Sequence, residues 1–137
     1  MINMHNEEEI LKRALQFIEE NLFNKNLTVN KVADYTGVSV KILDEIFAGY
    51  ELPPPCRYIA LRRAEEAEKE IINLHRNCEL IKSAYIAKKC GYKNMSNMNY
   101  SIKSVTEMNY KKFKSMVIAN FTSGKTPFIK NKLLWKF

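Results

Sequence analysis

Ser96, Asn97, Tyr100 and Lys103 stand at offsets of one, four and seven residues, and an α-helix gathers such positions on one face. Asparagine can pair with adenine through N6 and N7 at once, and serine can bond base edges or phosphate oxygens. Asn94 opens this stretch, and Lys88, Lys93, Lys111 and Lys112 flank it; ammonium groups so placed can neutralise phosphates. A second set, Val40, Lys41, Asp44 and Glu45, has similar helical spacing. A carboxylate there can accept from cytosine N4, although a phosphate-lined groove repels it. The competing reading of both sets is an ordinary solvated helix face.

Other chemistries find less support. His75 and Cys78 are three apart and Cys90 follows twelve later, but no fourth ligand stands at a usual spacing, so no metal site is expected. Three cysteines with no close pairing do not make a disulfide framework; they read as small, half-buried residues in a reducing compartment. The histidines, His5 and His75, fall in an N-terminal tail and a joint, and no paired-carboxylate, Ser–His–Asp or Cys–His arrangement survives inspection. An enzyme is therefore not expected, and no cofactor is implied.

Charge is unevenly distributed. Residues 1 to 50 carry five Lys or Arg against eight Asp or Glu, whereas residues 80 to 137 carry twelve lysines and one acid, Glu107. The whole chain of 137 residues has a net charge of +7. A basic C-terminal part facing a polyanion is the expectation, with nucleic acid the foremost candidate. The acidic N-terminus MINMHNEEEI has no apolar core and no apolar run is long enough to span a bilayer, so a cytoplasmic protein with no membrane partner is expected.

The elements that must position these residues are helical. Four glycines, and three of four prolines clustered at 53 to 55, leave few turns in a chain rich in helix formers. EEEILKRALQFIEENL (7 to 22) spaces Ile10, Leu11, Ala14, Leu15, Ile18 and Leu22 on one face. Thr28 caps a short helix through Tyr35, Gly37 turns the chain, and Ser39 caps a helix to about Ala48 anchored by Leu43 and Phe47. A long helix follows Pro55 to about Leu74, with Ile59, Ala67, Ile71 and Leu74 inward and RRAEEAEKE forming surface pairs. Helices from Ile81 to Cys90, Met95 to Ser104 and Tyr110 to Ala119 complete the series, and the basic-aromatic tail 120–137 is either a free arm or lies across the domain.

Two segments share one plan. VADYTGVSVKILDEIF and IAKKCGYKNMSNMNYSI each place an apolar–alanine pair, three residues, a glycine and an apolar residue before a helix with inward residues four apart. Two copies of short helix, turn and longer helix, joined by a long helix, describe paired helix-turn-helix units. The expected fold is all-α with about seven helices: a lobe over 1–55, a connecting helix over 56–76 and a second lobe over 77–119.

With this framework the sequence resembles the DNA-binding region of the AraC/XylS family of bacterial transcription regulators, over roughly residues 8 to 117. The residues carrying the likeness are FIEENL, LTVNKVADYTGVS, Leu43, Phe47, Tyr58, Ile59, Arg63, Ala67, IAKKCGY, Met98, Ile102, Lys103 and Phe113. Departures are LPPP and EMNY where Gly-x-Ser/Thr-Pro-like loops are usual, Ile102 in place of phenylalanine, and the acids Asp44 and Glu45 on the first reading helix. The resemblance implies sequence-specific binding of double-stranded DNA and transcriptional regulation by a monomer that supplies both reading units, without the usual ligand-sensing domain. RNA polymerase or another regulator is a further expected partner. The alternative is a degenerate relative that acts as a protein-interaction module.

Overall fold

The computed structural model describes residues 4–125 and 127–129. Most of them lie in seven helices: α1 (Met4–Asn21), α2 (Val29–Thr36), α3 (Val40–Gly49), α4 (Pro55–Arg76), α5 (Ser83–Lys89), α6 (Met95–Thr106) and α7 (Tyr110–Thr122). The fold is all-α, and no strand occurs among the described residues. None of these helices is long and apolar enough to cross a membrane.

Local chemistry explains the boundaries. The side-chain oxygens of Thr28, Ser39, Asn94 and Asn109 accept from backbone N–H groups three residues on, capping α2, α3, α6 and α7. Pro55 opens α4, where its missing N–H costs nothing. Both short helices end alike: the N–H after the glycine returns to the alanine carbonyl, Val38 to Ala33 at 3.2 Å and Tyr92 to Ala87 at 3.0 Å. The two loops that depart from the expected glycine-containing pattern hold glutamates in left-handed conformation, Glu51 at φ 60° and Glu107 at φ 64°. After Glu107, Asn99 Oδ1 accepts from the Tyr110 N–H at 2.7 Å and Thr106 Oγ1 accepts from the Met108 N–H at 3.1 Å, which steadies the entry to α7.

Two separate cores form. Leu11, Ala14, Ile18, Leu22, Val32, Leu43, Phe47 and Ile59 pack the first lobe. Ile86, Met98, Ile102, Val105, Phe113 and Val117 pack the second. α4 belongs to both, giving Ile59 to the first and Leu61, Ala64, Ala67, Ile71 and Leu74 to the second. It runs unbroken between them.

The charged run in α4 is only in part a solvated surface. Arg62 does pair with Glu65 and Glu66, and Lys69 with Glu66. Arg63 and Glu68, however, are buried at 9% and 3% exposure. Arg63 donates from Nε to the Leu22 carbonyl and from Nη2 to the Asn24 carbonyl, both at 2.9 Å. Those carbonyls lie where α1 ends, and α1 has no basic residue in its last turn. The cation that suits a helix C-terminus thus comes from another helix. Arg62 adds a bond to each carboxylate oxygen of Glu19, at 2.8 and 2.9 Å, which holds its own pKa well above the ordinary arginine value.

Gly91 completes the junction. Its φ is +86°, and a Cβ there would lie 2.4 Å from the Leu22 carbonyl oxygen and 2.8 Å from the Phe23 Cα. The turn of the second lobe therefore packs directly on the backbone that Arg63 holds. Gly37, at φ +79°, has nothing within 4 Å of such a Cβ.

Part of the tail is docked. Phe128 and Ile129 are buried in the second core, and Phe128 meets the Phe113 ring at 6.1 Å between centroids. Their backbone N–H groups both donate to the buried Glu68 carboxylate, Ile129 at 2.9 Å. Of the two expectations for the tail, residues 127–129 follow the one that lies across the domain; residues 126 and 130–137 lie outside the described set.

Two outcomes follow for stability. Gly37→Ala should cost about 1–2 kcal/mol, the strain of a left-handed alanine, whereas Gly91→Ala should cost about 3 kcal/mol or more, since backbone must also move; equal denaturation midpoints would contradict the close packing at Gly91. Glu68→Ala should cost about 1–3 kcal/mol by stranding two buried N–H groups and should speed cleavage by trypsin after Lys125. A variant as stable and protease-resistant as the parent would rule out that anchor.

Candidate nucleic-acid interface

α6 is divided sharply between two environments. Met98, Ile102 and Val105 are at most 1% exposed and fix one stripe in the second core. Ser96, Asn97, Tyr100 and Lys103 are all exposed. Tyr100, opposite the buried stripe, is 77% exposed. None of these four side chains makes a hydrogen bond or ion pair among the described residues. The backbone beneath them is nevertheless held, because Asn94 Oδ1 accepts from the Asn97 N–H at 2.7 Å. Such a face is rigid in its frame and free at its tips.

Asn94 itself is exposed, but that bond makes its side chain oxygen a helix cap, so its structural task is defined. Val40 departs from the expected outward set more clearly: it is half-buried and packs against the first core. The pleating of α3 around Leu43, Ile46 and Phe47 draws it inward, since Val40 stands three residues before Leu43 on the same side. Lys41, Asp44 and Glu45 are exposed, and neither acid has an ion pair or side-chain hydrogen bond among the described residues.

The lysines differ in what holds them where they are. Lys88, Lys93, Lys111 and Lys112 are exposed without ion pairs among the described residues. Lys88 and Lys89 fall in the last turn of α5, where the helix dipole favours cations, so local stability alone explains them. Lys111 and Lys112 fall in the first turn of α7, which contains no acid. There the dipole opposes them, and neither forms an ion pair among the described residues.

A groove of about 660 Å³ runs between the lobes beside this face. Asn97, Tyr100, Ser101 and Ser104 of α6 form one wall, facing Thr28 and Val29 at the start of α2 and Pro54 and Arg57 at the start of α4. Arg57 Nη1 donates to the Ser104 carbonyl at 3.3 Å across it. The exposed face of α6 and the start of the first helix-turn-helix unit therefore share one concave surface. Sequence spacing predicted the face but not the groove, because the groove depends on how Arg63 and Gly91 set the lobes together.

The residues considered for a metal are scattered in role. The His75 ring meets Phe121 edge-on at 6.1 Å, Cys56 and Cys78 are exposed, and Cys90 is buried in the second core. The expectation of three half-buried cysteines fails for all of them: Cys56 stands in the first turn of α4 at the groove and Cys78 in the turn after α4, both open to solvent. Among the described residues no three His, Cys, Asp or Glu side chains gather to hold an ion.

Burial pushes the Cys90 thiol up to about 12, with Glu70 and Glu66 adding to it. Burial, then Cys90, likewise pushes the Tyr110 hydroxyl up to about 12. These groups favour the folded state in their neutral form, so that contribution is whole below about 9 and is lost as pH rises toward 12. No family model matches the chain, and neither a curated protein nor a solved structure matches it.

Iodoacetamide at pH 8 should label Cys56 and Cys78 in the native protein and reach Cys90 only in denaturant, because the thiolate is the nucleophile. Intact-mass measurement of three rapid labels without denaturant would contradict the burial of Cys90.

Proposed function

We propose that the chain binds double-stranded DNA and regulates transcription in the manner of the AraC/XylS regulators it resembles. The observation that carries this reading is the α6 face. Four polar or aromatic side chains are exposed and unbonded on a helix whose opposite stripe is wholly buried. Lysines surround them, and Lys111 and Lys112 occupy a helix start that disfavours them. A phosphate backbone would supply the missing anion. Asn97 offers the donor and acceptor that adenine requires, while Lys88, Lys93, Lys103, Lys111 and Lys112 serve phosphates. One chain provides two helix-turn-helix units, so a monomer suffices to engage two successive major grooves about 34 Å apart.

A second reading draws on α3. Asp44 and Glu45 are exposed without ion pairs among the described residues and would face phosphates at a cost. A chain that uses this helix for a basic protein surface, of RNA polymerase or another regulator, would bind DNA through its second lobe alone or act wholly as an interaction module.

Binding to duplexes across a salt series separates these readings. The DNA reading expects affinity to fall steeply with salt. Lys93→Ala should then weaken all sequences alike and reduce the salt slope by about one. Asn97→Ala should instead relax base preference, removing about 1–3 kcal/mol of discrimination at one position. The same loss from both substitutions on every sequence would refute base reading by Asn97, and no binding at low salt would leave the interaction module.

A further inference from the structure

We infer that the exposed face of α6 reads A·T base pairs, Asn97 taking adenine and Tyr100 the 5-methyl group of thymine. This rests on the reading of the chain as a duplex DNA binder and adds to it the bases that the second lobe selects.

The argument starts from the functional groups on the helix. Between Met95 and Thr106, α6 carries no arginine and no carboxylate, and Lys103 is its one cation. Guanine is most often read by a bidentate cation and cytosine by a carboxylate. Neither fits the middle of this face. What the face does offer is an amide, hydroxyls and an aromatic ring. An amide suits adenine N6 and N7, and an apolar surface suits the thymine methyl group.

Position decides between the side chains. Tyr100 lies opposite Met98, Ile102 and Val105 and is the most exposed aromatic residue described, at 77%. Tyr35 stacks on Phe17 at 4.5 Å and Tyr85 bonds Glu70, so those rings have internal partners. Tyr100 has none. The facing wall of the groove offers Val29 and Pro54 beside Thr28 and Arg57, so the ring stands over a partly apolar, open surface. A methyl group pressed on this ring would leave water without displacing a bond.

Asn97 stands one turn before Tyr100, about 4.5 Å along the helix axis. The base-pair step is about 3.4 Å, so the two side chains address neighbouring pairs. The backbone N–H of Asn97 is already bonded to Asn94, leaving its side-chain amide available and its position fixed. The second box should therefore hold an adenine and a thymine side by side or one step apart.

The test is selection by the full chain from two random duplex pools, one ordinary and one with deoxyuridine replacing thymine. The ordinary pool should yield a box with adenine and thymine at adjacent positions. On the best duplex, loss of the one methyl group should weaken binding about fourfold. Tyr100→Phe should keep that difference, because the hydroxyl is not needed, and Tyr100→Ala should bind the thymine and uracil duplexes equally. Asn97→Ala should lose the adenine and retain the methyl effect. A guanine-rich box, or a wild-type protein indifferent to the methyl group, would overturn the inference while duplex binding stands. Failure of both pools to enrich any sequence would remove the sequence-specific DNA reading and this inference together.

Discussion

The lobes hold together because a guanidinium from the connecting helix supplies the charge that the first helix lacks at its end. α1 finishes with Glu19 and Glu20 in its last turn, the wrong sign for a helix C-terminus. Arg62 takes up Glu19, and Arg63 satisfies the carbonyls of Leu22 and Asn24. Gly91 then lets the turn of the second lobe lie against that same backbone. Burial lowers the pKa of Arg63, yet arginine keeps its proton at any physiological pH, so the bond is charge-assisted throughout. This junction adds a direct contact between the lobes to the connection that α4 already makes.

Much of that was legible in the chain before any coordinates. The seven helices, both turns and most caps follow from periodicity, glycine and capping residues, since these act locally. Leu43, Phe47, Met98, Ile102 and Phe113 fall in the cores where their spacing puts them. Arg63 stood out only through the family resemblance and Glu68 only as a member of a charged run, because a pattern of one buried face assumes one core. α4 instead touches two cores and a docked tail on different sides, and each side buries a charge that finds its partners on the backbone of a distant segment. Those segments lie 39 to 61 residues away, beyond the reach of any local pattern. Val40 shows a subtler limit: position on a short helix does not by itself tell the rim of a core from open surface.

The two helices proposed to meet DNA differ in kind. α6 presents neutral hydrogen-bonding groups and a free ring within a field of lysines, and its frame is fixed by a side-chain cap. α3 presents Lys41 with two carboxylates that have no ion pair among the described residues. One fold thus carries a face suited to a polyanion and another that resists it. Rigid attachment means the second lobe's attraction must carry the first lobe's helix toward the same surface or hold it clear.

Everything functional depends on that attachment, and urea unfolding followed at single amides of each lobe tests it directly. Signals from Val32 and Leu43 report the first lobe, and those from Ile102 and Phe113 the second. In the parent chain all four should lose intensity with one midpoint. In Arg63→Met, which keeps a long side chain but neither bond, the midpoints should separate, with the first lobe melting earlier. Coincident midpoints in both proteins, or separate ones in the parent, would contradict the claim that this arginine makes two lobes into one body.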